Sequence, residues 1–291
     1  MRPLALIFGN RQWRKCRIGA KVKKKLLILS IATIILLASL AGFVACDKKD
    51  NHITVNIKDE QNALVFEPSK AAKYGLIFYV GTGIEPSKYS YLGYQLAEEG
   101  YLVYIPKIQN NMPYQYYEQS ELAFEKYPNV QFFVGGHSNQ GADAALRRIC
   151  ENSASVKGAI FFSPITVGYY QVFDKDGNPA TDEDGNLVYE NYTLANTALP
   201  ALYVQGDKDA VCESSQTEQA KSRMPQNCVY KTIENGNHTA FAEINETTDL
   251  PIAFQLFPNF VSDVNATTIE QKDNQRTLAA YYVLDFIKAN L

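Results

Sequence analysis

The sequence predicts an α/β fold, a mostly parallel, doubly wound sheet with helices on both faces. Three observations carry that expectation. Short apolar runs rich in Val, Ile, Phe and Tyr recur between residues 75 and 233 and read as strands buried on both faces. Amphipathic stretches of helical period fall between them, the pattern of parallel strands joined by crossover helices. The third observation is local. A strand-like run, residues 130–134, enters Gly135-Gly136-His137-Ser138, and a small-residue helical pattern (Ala142, Ala144, Ala145, Leu146) leaves it.

The elements follow in order. Residues 53–57 and 63–66 read as short antiparallel strands separated by a polar turn. Residues 75–80 form a continuous apolar strand that runs into Gly81-Thr82-Gly83, and a helix is expected over 89–99, stopped by Gly100. Residues 101–105 are the next strand, followed by a tyrosine-rich loop and a helix over about 117–126. Beyond the strand–turn–helix around Ser138, residues 158–162 make another buried strand ending at Ser163-Pro164. Strands at 201–205 and 229–233 and an amphipathic helix over about 268–290 complete the chain.

One stretch, about residues 168–196, breaks the alternation. Asp174-Lys175-Asp176-Gly177-Asn178 and Asp182-Glu183-Asp184-Gly185-Asn186 form a near repeat eight residues apart. Asp-Gly turns flanked by Val172-Phe173 and by Leu187-Val188-Tyr189 predict β-hairpins. Aspartates at this density invite a calcium reading. The EF-hand spacing is absent and no distal glutamate completes it, so solvated hairpin turns are the expectation and no metal is called for.

The turn at Ser138 has the layout of a nucleophile elbow, in which a sharp strand-to-helix turn lifts a serine hydroxyl above the end of a sheet. Such a hydroxyl needs a base to activate it, and the base needs an orienting acid. The chain has three histidines: His52, His137 and His238. His52 follows the N-terminal leader, and His137 adjoins the serine on a turn where its side chain should point elsewhere. His238 remains as the base, in the turn-rich stretch Glu234-Asn235-Gly236-Asn237-His238-Thr239. For the acid, Asp207 and Asp209 both follow Gly206 at the C-terminal end of the 201–205 strand. The competing reading of Asp207 is a turn residue that bonds its own backbone. Ser138, Asp209 and His238 each sit just past a predicted strand.

Residues 1–45 carry nine Lys/Arg and no Asp/Glu, and residues 26–45 form an uncharged apolar run. A basic stretch, an apolar stretch and Phe43-Val44-Ala45-Cys46 resemble a bacterial lipoprotein signal peptide, with Cys46 as the acylated mature N-terminus. An uncleaved signal anchor is the alternative, since about 20 apolar residues span a bilayer. Both put the basic end in the cytoplasm and the remainder outside, attached to the cell membrane. Residues 46–52 read as a polar tether and 53–291 as one domain. Without residues 1–45, 246 residues remain, with 19 Lys/Arg against 31 Asp/Glu, a balance of −12. That acidity argues against nucleic acid as a partner. No C-x-x-C pair occurs, which removes zinc and thioredoxin readings. Cys150 reads as core, and Cys212 and Cys228 as free buried thiols rather than a disulfide framework.

With these residues in place, the chain resembles the α/β-hydrolase superfamily, and more narrowly the small bacterial α/β-hydrolase fold-5 group. The matching text runs from Gly75-Leu76-Ile77-Phe78-Tyr79-Val80-Gly81 through Leu96-Ala97-Glu98-Glu99-Gly100-Tyr101-Leu102-Val103 and Gly135-Gly136-His137-Ser138. It continues from Leu199-Pro200-Ala201 to Asp209 and ends at Glu234-Asn235-Gly236-Asn237-His238-Thr239-Ala240-Phe241. The resemblance implies Ser138 as nucleophile, His238 as base and, by G-x-x-D spacing, Asp209 as acid. It implies an oxyanion hole from the backbone N–H groups of Thr82 and Asn139. The implied activity is hydrolysis of a small-molecule carboxylic ester through an acyl-enzyme, with no cofactor, by a monomer attached to the membrane only through its N-terminus. The insertion lies where such folds often carry a cap, so it is expected to roof the site. Tyr114, Tyr116, Tyr117, Tyr169 and Tyr170 are either pocket lining or ordinary half-buried surface.

The chain departs from the superfamily at Gln140, where a small residue, usually glycine, stands two after the serine. Here the glycine comes one later, at Gly141. Either small neighbours accommodate the side chain or it damages the hole. The second outcome would leave a catalytically impaired, hydrolase-like binding lipoprotein. A protease or thioesterase would use the same triad, because the fold hosts many chemistries.

Overall fold

The structure is a computed structural model that describes residues 53–165, 168–172 and 178–291. The expected leader, the tether and the first Asp-Gly turn at 174–177 lie outside the described residues. Eight strands form one sheet: β1 (Val55–Asp59), β2 (Ala63–Pro68), β3 (Tyr74–Tyr79), β4 (Leu102–Pro106), β5 (Gln131–His137), β6 (Val156–Phe162), β9 (Ala201–Gly206) and β10 (Val229–Ile233). Their order is β1-β2-β4-β3-β5-β6-β9-β10. β1–β2 and β2–β4 pair antiparallel, and every other pair in the sheet is parallel. The parallel strands therefore release their following loops at one edge, where a ligand site of such a sheet lies.

The central strands bury both faces, which is why their sequences are apolar throughout. Leu76, Phe78 and Val80 point into one core with Leu92, Leu96, Val283 and Ile287, while Ile77 and Tyr79 point into the other with Ala142, Ala145 and Ile149. That alternation is the period of two of an extended chain. Helices α1 (Ser90–Glu98) and α6 (Ile269–Ala289) cover the first face. Helices α2 (Glu121–Lys126), α3 (Ser138–Glu151) and α4 (Ser214–Ser222) contribute to the second. A further short helix, α5 (Pro258–Asn265), precedes α6. Among the described residues, no helix is long and apolar enough to cross a membrane.

Several sequence expectations need correction. The helix expected from about residue 117 is a 3-10 segment, Pro113–Ser120, and the α-helix proper spans Glu121–Lys126. β5 runs on to His137 and α3 begins at Ser138, so the glycine pair belongs to the strand. α4 and α5 were not expected. Ser214–Ser222 is polar almost throughout, burying only Thr217 and Ala220, so no apolar period announces it.

Among its described residues the insertion contains a small hairpin, as its second Asp-Gly turn predicts. β7 (Tyr169–Gln171) pairs antiparallel with β8 (Tyr189–Asn191), and Thr181 bridges Leu187. At its tip Gly185 has φ of +84°, and the Asp182 carboxylate accepts the N–H groups of Asp184 and Asn186 at 3.0 and 2.8 Å. The turn's own backbone satisfies that carboxylate. Cys150, Cys212 and Cys228 are free thiols.

Candidate active site

Ser138 is the first residue of α3 and has φ of +62°, the left-handed region that a non-glycine residue rarely occupies. Close packing beneath the turn maintains this conformation. Gly141 is the point of nearest approach: a Cβ there would stand 2.4 Å from the Val80 carbonyl oxygen and 2.7 Å from that of Tyr79. No side chain fits between α3 and the end of β3. Gln140 does not enter that contact. It lines the cavity beside Ser138 and points its Nε2 at the Met112 Sδ, 3.4 Å away. The displaced glycine is thus accommodated: the residue that must be small is Gly141, and Gln140 faces the ligand space.

Ser138 Oγ lies 2.7 Å from His238 Nε2, and His238 Nδ1 lies 2.9 Å from Asp209 Oδ2. The other Asp209 oxygen accepts the N–H groups of Val211 and Cys212 at 3.0 and 2.7 Å. A carboxylate that only accepts forces the proton onto Nδ1, leaving the Nε2 lone pair to accept the Ser138 hydroxyl. Burial opposes the His238 imidazolium, but the charge and hydrogen bond of Asp209, with a contribution from Asp263, hold its pKa above the ordinary histidine value. Burial likewise raises the Asp209 carboxyl, and the His238 charge and hydrogen bond, with the Cys212 N–H, outweigh it and bring the group below its usual range. Asp207 makes no such contact; its N–H donates to the Ile233 carbonyl at 3.1 Å, a backbone bond across the ends of β9 and β10.

Two features were missed from the sequence. The first is a brace beneath the site. Tyr89 Oη accepts the Gly81 N–H at 2.8 Å and lies 2.7 Å from His137 Nδ1, while His137 Nε2 lies 3.0 Å from the His238 carbonyl oxygen. A carbonyl can only accept, so Nε2 carries the His137 proton and Nδ1 accepts from Tyr89. The ring expected merely to point away therefore ties the base loop to the loop after β3. Gly81 must lack a side chain, since a Cβ there would be 2.9 Å from His137 Nδ1. The second feature is Asp263 on α5, a fully buried carboxylate that accepts from the backbone N–H groups of Ala210, His238 and Thr239 at 2.9 Å each. Its only sequence signal would have been an aspartate inside a short apolar helix.

A cavity of about 360 Å³ opens above Ser138 and His238. Thr82 and Asn139 both line it, as do the apolar side chains Ile84, Leu250, Phe254 and Phe260. Phe254 and Phe260 stack at 4.5 Å between centroids, and Phe260 sets its edge against the His238 ring at 6.3 Å. Among the described residues, none of 168–196 lines this cavity, and Leu250, Phe254, Asn259 and Phe260 line it. Tyr114, Tyr116 and Tyr117 do not line it either; Tyr114 and Tyr117 pack against the Arg147 guanidinium, the nearer ring at 4.1 Å. The side chains of Tyr169 and Tyr170 lie outside the described residues.

This sheet order, with a serine on a strained strand-to-helix turn, defines an α/β-hydrolase. The sequence model of the Alpha/beta hydrolase family matches residues 75–171 and 185–248, more than half of the chain, and the protein belongs to that family. No curated protein matches the sequence. Among solved structures, a ferulic acid esterase from Streptomyces cinnamoneus is similar at 14% identity and a TM-score of 0.52, over 77% of this chain and 69% of that one. Est1E from Butyrivibrio proteoclasticus is 14% identical with a TM-score of 0.48, over 82% of this chain and 100% of that one. An esterase from Mycobacterium tuberculosis is 14% identical with a TM-score of 0.48, over 80% and 91%.

Proposed function

We propose that this protein is a serine hydrolase acting on a carboxylic ester through an acyl-enzyme. The observation that carries the proposal is the continuous chain from Ser138 Oγ to His238 at 2.7 Å and from His238 to Asp209 at 2.9 Å. In this reading Nε2 of His238 takes the hydroxyl proton as Ser138 attacks the carbonyl carbon, and Asp209 stabilises the imidazolium. The proton then passes to the departing alkoxide, and water activated by the same imidazole releases the acid. The Thr82 and Asn139 N–H groups serve as oxyanion donors, each typically worth about 3 kcal/mol. Asn139 is suited to this as a first-turn residue of α3, where backbone N–H groups have no intrahelical acceptor. The cavity lining favours an uncharged substrate, because among the described residues its only ionisable member is His238.

We place the enzyme outside the cytoplasmic membrane, held by a lipid on Cys46, on the strength of the basic and apolar leader alone. The reading in which the scaffold binds a ligand without turnover loses its main support, since Gln140 stands in the cavity without wedging α3 away from β3. The test is a panel of p-nitrophenyl esters of increasing acyl length, assayed with the full chain and with Ser138→Ala. Hydrolysis confined to the unsubstituted chain supports the proposal; a flat panel with the folded protein would sink it.

A further inference from the structure

The acid and base loops meet through the Asp207 N–H on the Ile233 carbonyl at 3.1 Å and the Lys208 N–H on the Gly236 carbonyl at 2.7 Å, and Asp263 joins them a second time from behind. Its Oδ1 accepts from Ala210, next to the acid Asp209, and from the His238 N–H, both at 2.9 Å. Its Oδ2 accepts from the Thr239 N–H at 2.9 Å and from the Thr239 hydroxyl at 2.8 Å. Neighbouring bonds fix the same corner: Asn237 Nδ2 donates to the Asp263 carbonyl at 2.8 Å and to Thr267 Oγ1 at 2.9 Å. Both carboxylate oxygens face donors only, and the side chain is sealed from solvent. One carboxylate thus holds the acid and base loops in register from behind. An amide would accept on one side only and turn its NH2 toward the Thr239 donors, so the donor set calls for a carboxylate, which also brings a charge to the backbone of the base loop.

Resting on the hydrolase reading above, we propose that Asp263 is a positioning residue that locks the acid and base loops together and supplies His238 with a second negative charge besides Asp209. The groups that face this corner are few. His238 has Asp209 at 2.9 Å on Nδ1, the His137 ring at 5.0 Å between centroids, and the Phe260 edge. Lys272 on α6 feels the Asp263 charge and places its ammonium on the Asn245 carbonyl at 2.6 Å, one turn from Arg276. Neither cation bonds to Asp263, whose four donors are uncharged. The second charge favours the imidazolium that forms during attack, at the cost of a base that is protonated up to a higher pH.

The experiment is Asp263→Asn in the full chain, read by NMR titration of the His238 ring and by the pH profile of kcat/KM. The amide keeps an oxygen for Ala210 and His238 but removes the charge. The His238 titration, and with it the acid limb of activity, should move to lower pH by roughly half a unit to one unit. A fall in kcat of about 10- to 100-fold with KM little changed should accompany it, from loosened alignment. A purely structural residue would lower kcat at every pH and leave the titration where it was, and that result overturns the proposal. Should the variant fail to fold, Asp209→Asn decides. With one anion removed, His238 should still titrate at least about one unit above His137; collapse onto the His137 value overturns the second charge. The ring titration needs no turnover, so an inactive parent would defeat the hydrolase reading without obscuring this one.

Discussion

Two buried imidazoles stand 5.0 Å apart, one on the nucleophile turn and one on the base loop, and their pKa values are driven in opposite directions. His137 faces a phenol and a carbonyl; burial, then the neighbouring His238, drives its pKa down to about 3. The His238 ring bonds the Asp209 carboxylate, with the charge of Asp263 contributing from behind its backbone, and despite equal burial its pKa stands above the ordinary value. Burial alone does not make a base. What faces the ring does, and the protein uses the same side chain as a neutral strut on one element and a proton acceptor on the next.

Removing groups from the base side should cost most. Ser138→Ala or His238→Ala should lower kcat by about 10⁴- to 10⁶-fold, and Asp209→Asn by about 10⁴-fold by favouring the wrong tautomer, with near-unchanged melting curves. Steady-state kinetics on a p-nitrophenyl ester checks each. If His137→Ala were equally damaging, the distinction between strut and base would fail. Instead, His137→Gln should cost about 10- to 100-fold in kcat by loosening the His238 carbonyl, leaving the acid limb of the pH profile near its original place.

The comparison also sets two pH windows. The base must be neutral to work, so kcat/KM should rise with pH through a limb lying above 6.5, the ordinary histidine value from which His238 is raised. A limb below 6.5 would contradict the raised His238 pKa that Asp209 sets. His137 acts on stability instead. Its folded pKa of about 3 lies below its unfolded value of 6.5, so the unfolded chain binds the extra proton between them. Its contribution to stability is complete above pH 6.5 and is lost as pH falls towards 3, on the order of 5 kcal/mol across the window. Melting temperature against pH should therefore fall less steeply in acid for His137→Gln than for the parent.

The smallest effect belongs to the hairpin. Asp182→Asn should change kcat/KM by less than about twofold, since no described residue of 168–196 lines the cavity and Asp182 serves its own turn. A large loss would bring the hairpin back as a cap.

The strands were legible because buried-on-both-faces β3, β5, β6 and β9 leave uninterrupted apolar runs, and the elbow because a glycine pair before a serine has few other uses. Ser138 stood out by its elbow and His238 by elimination among three histidines, while Asp209 was favoured over Asp207 by the spacing that the family resemblance implies. α4 was invisible because the sheet, not its own apolar face, calls for it as the crossover between parallel β9 and β10. Asp263 and His137 escaped for a different reason. Both act on backbone groups of residues 24 to 101 positions away, and no local pattern records such a partner.

The most direct test is labelling of the full chain with a fluorophosphonate probe, with mass spectrometry to locate the adduct. A single adduct on Ser138, formed faster as pH rises through the His238 titration and absent from Ser138→Ala, is the result expected. No adduct on the folded protein, or one that persists in Ser138→Ala, would contradict it.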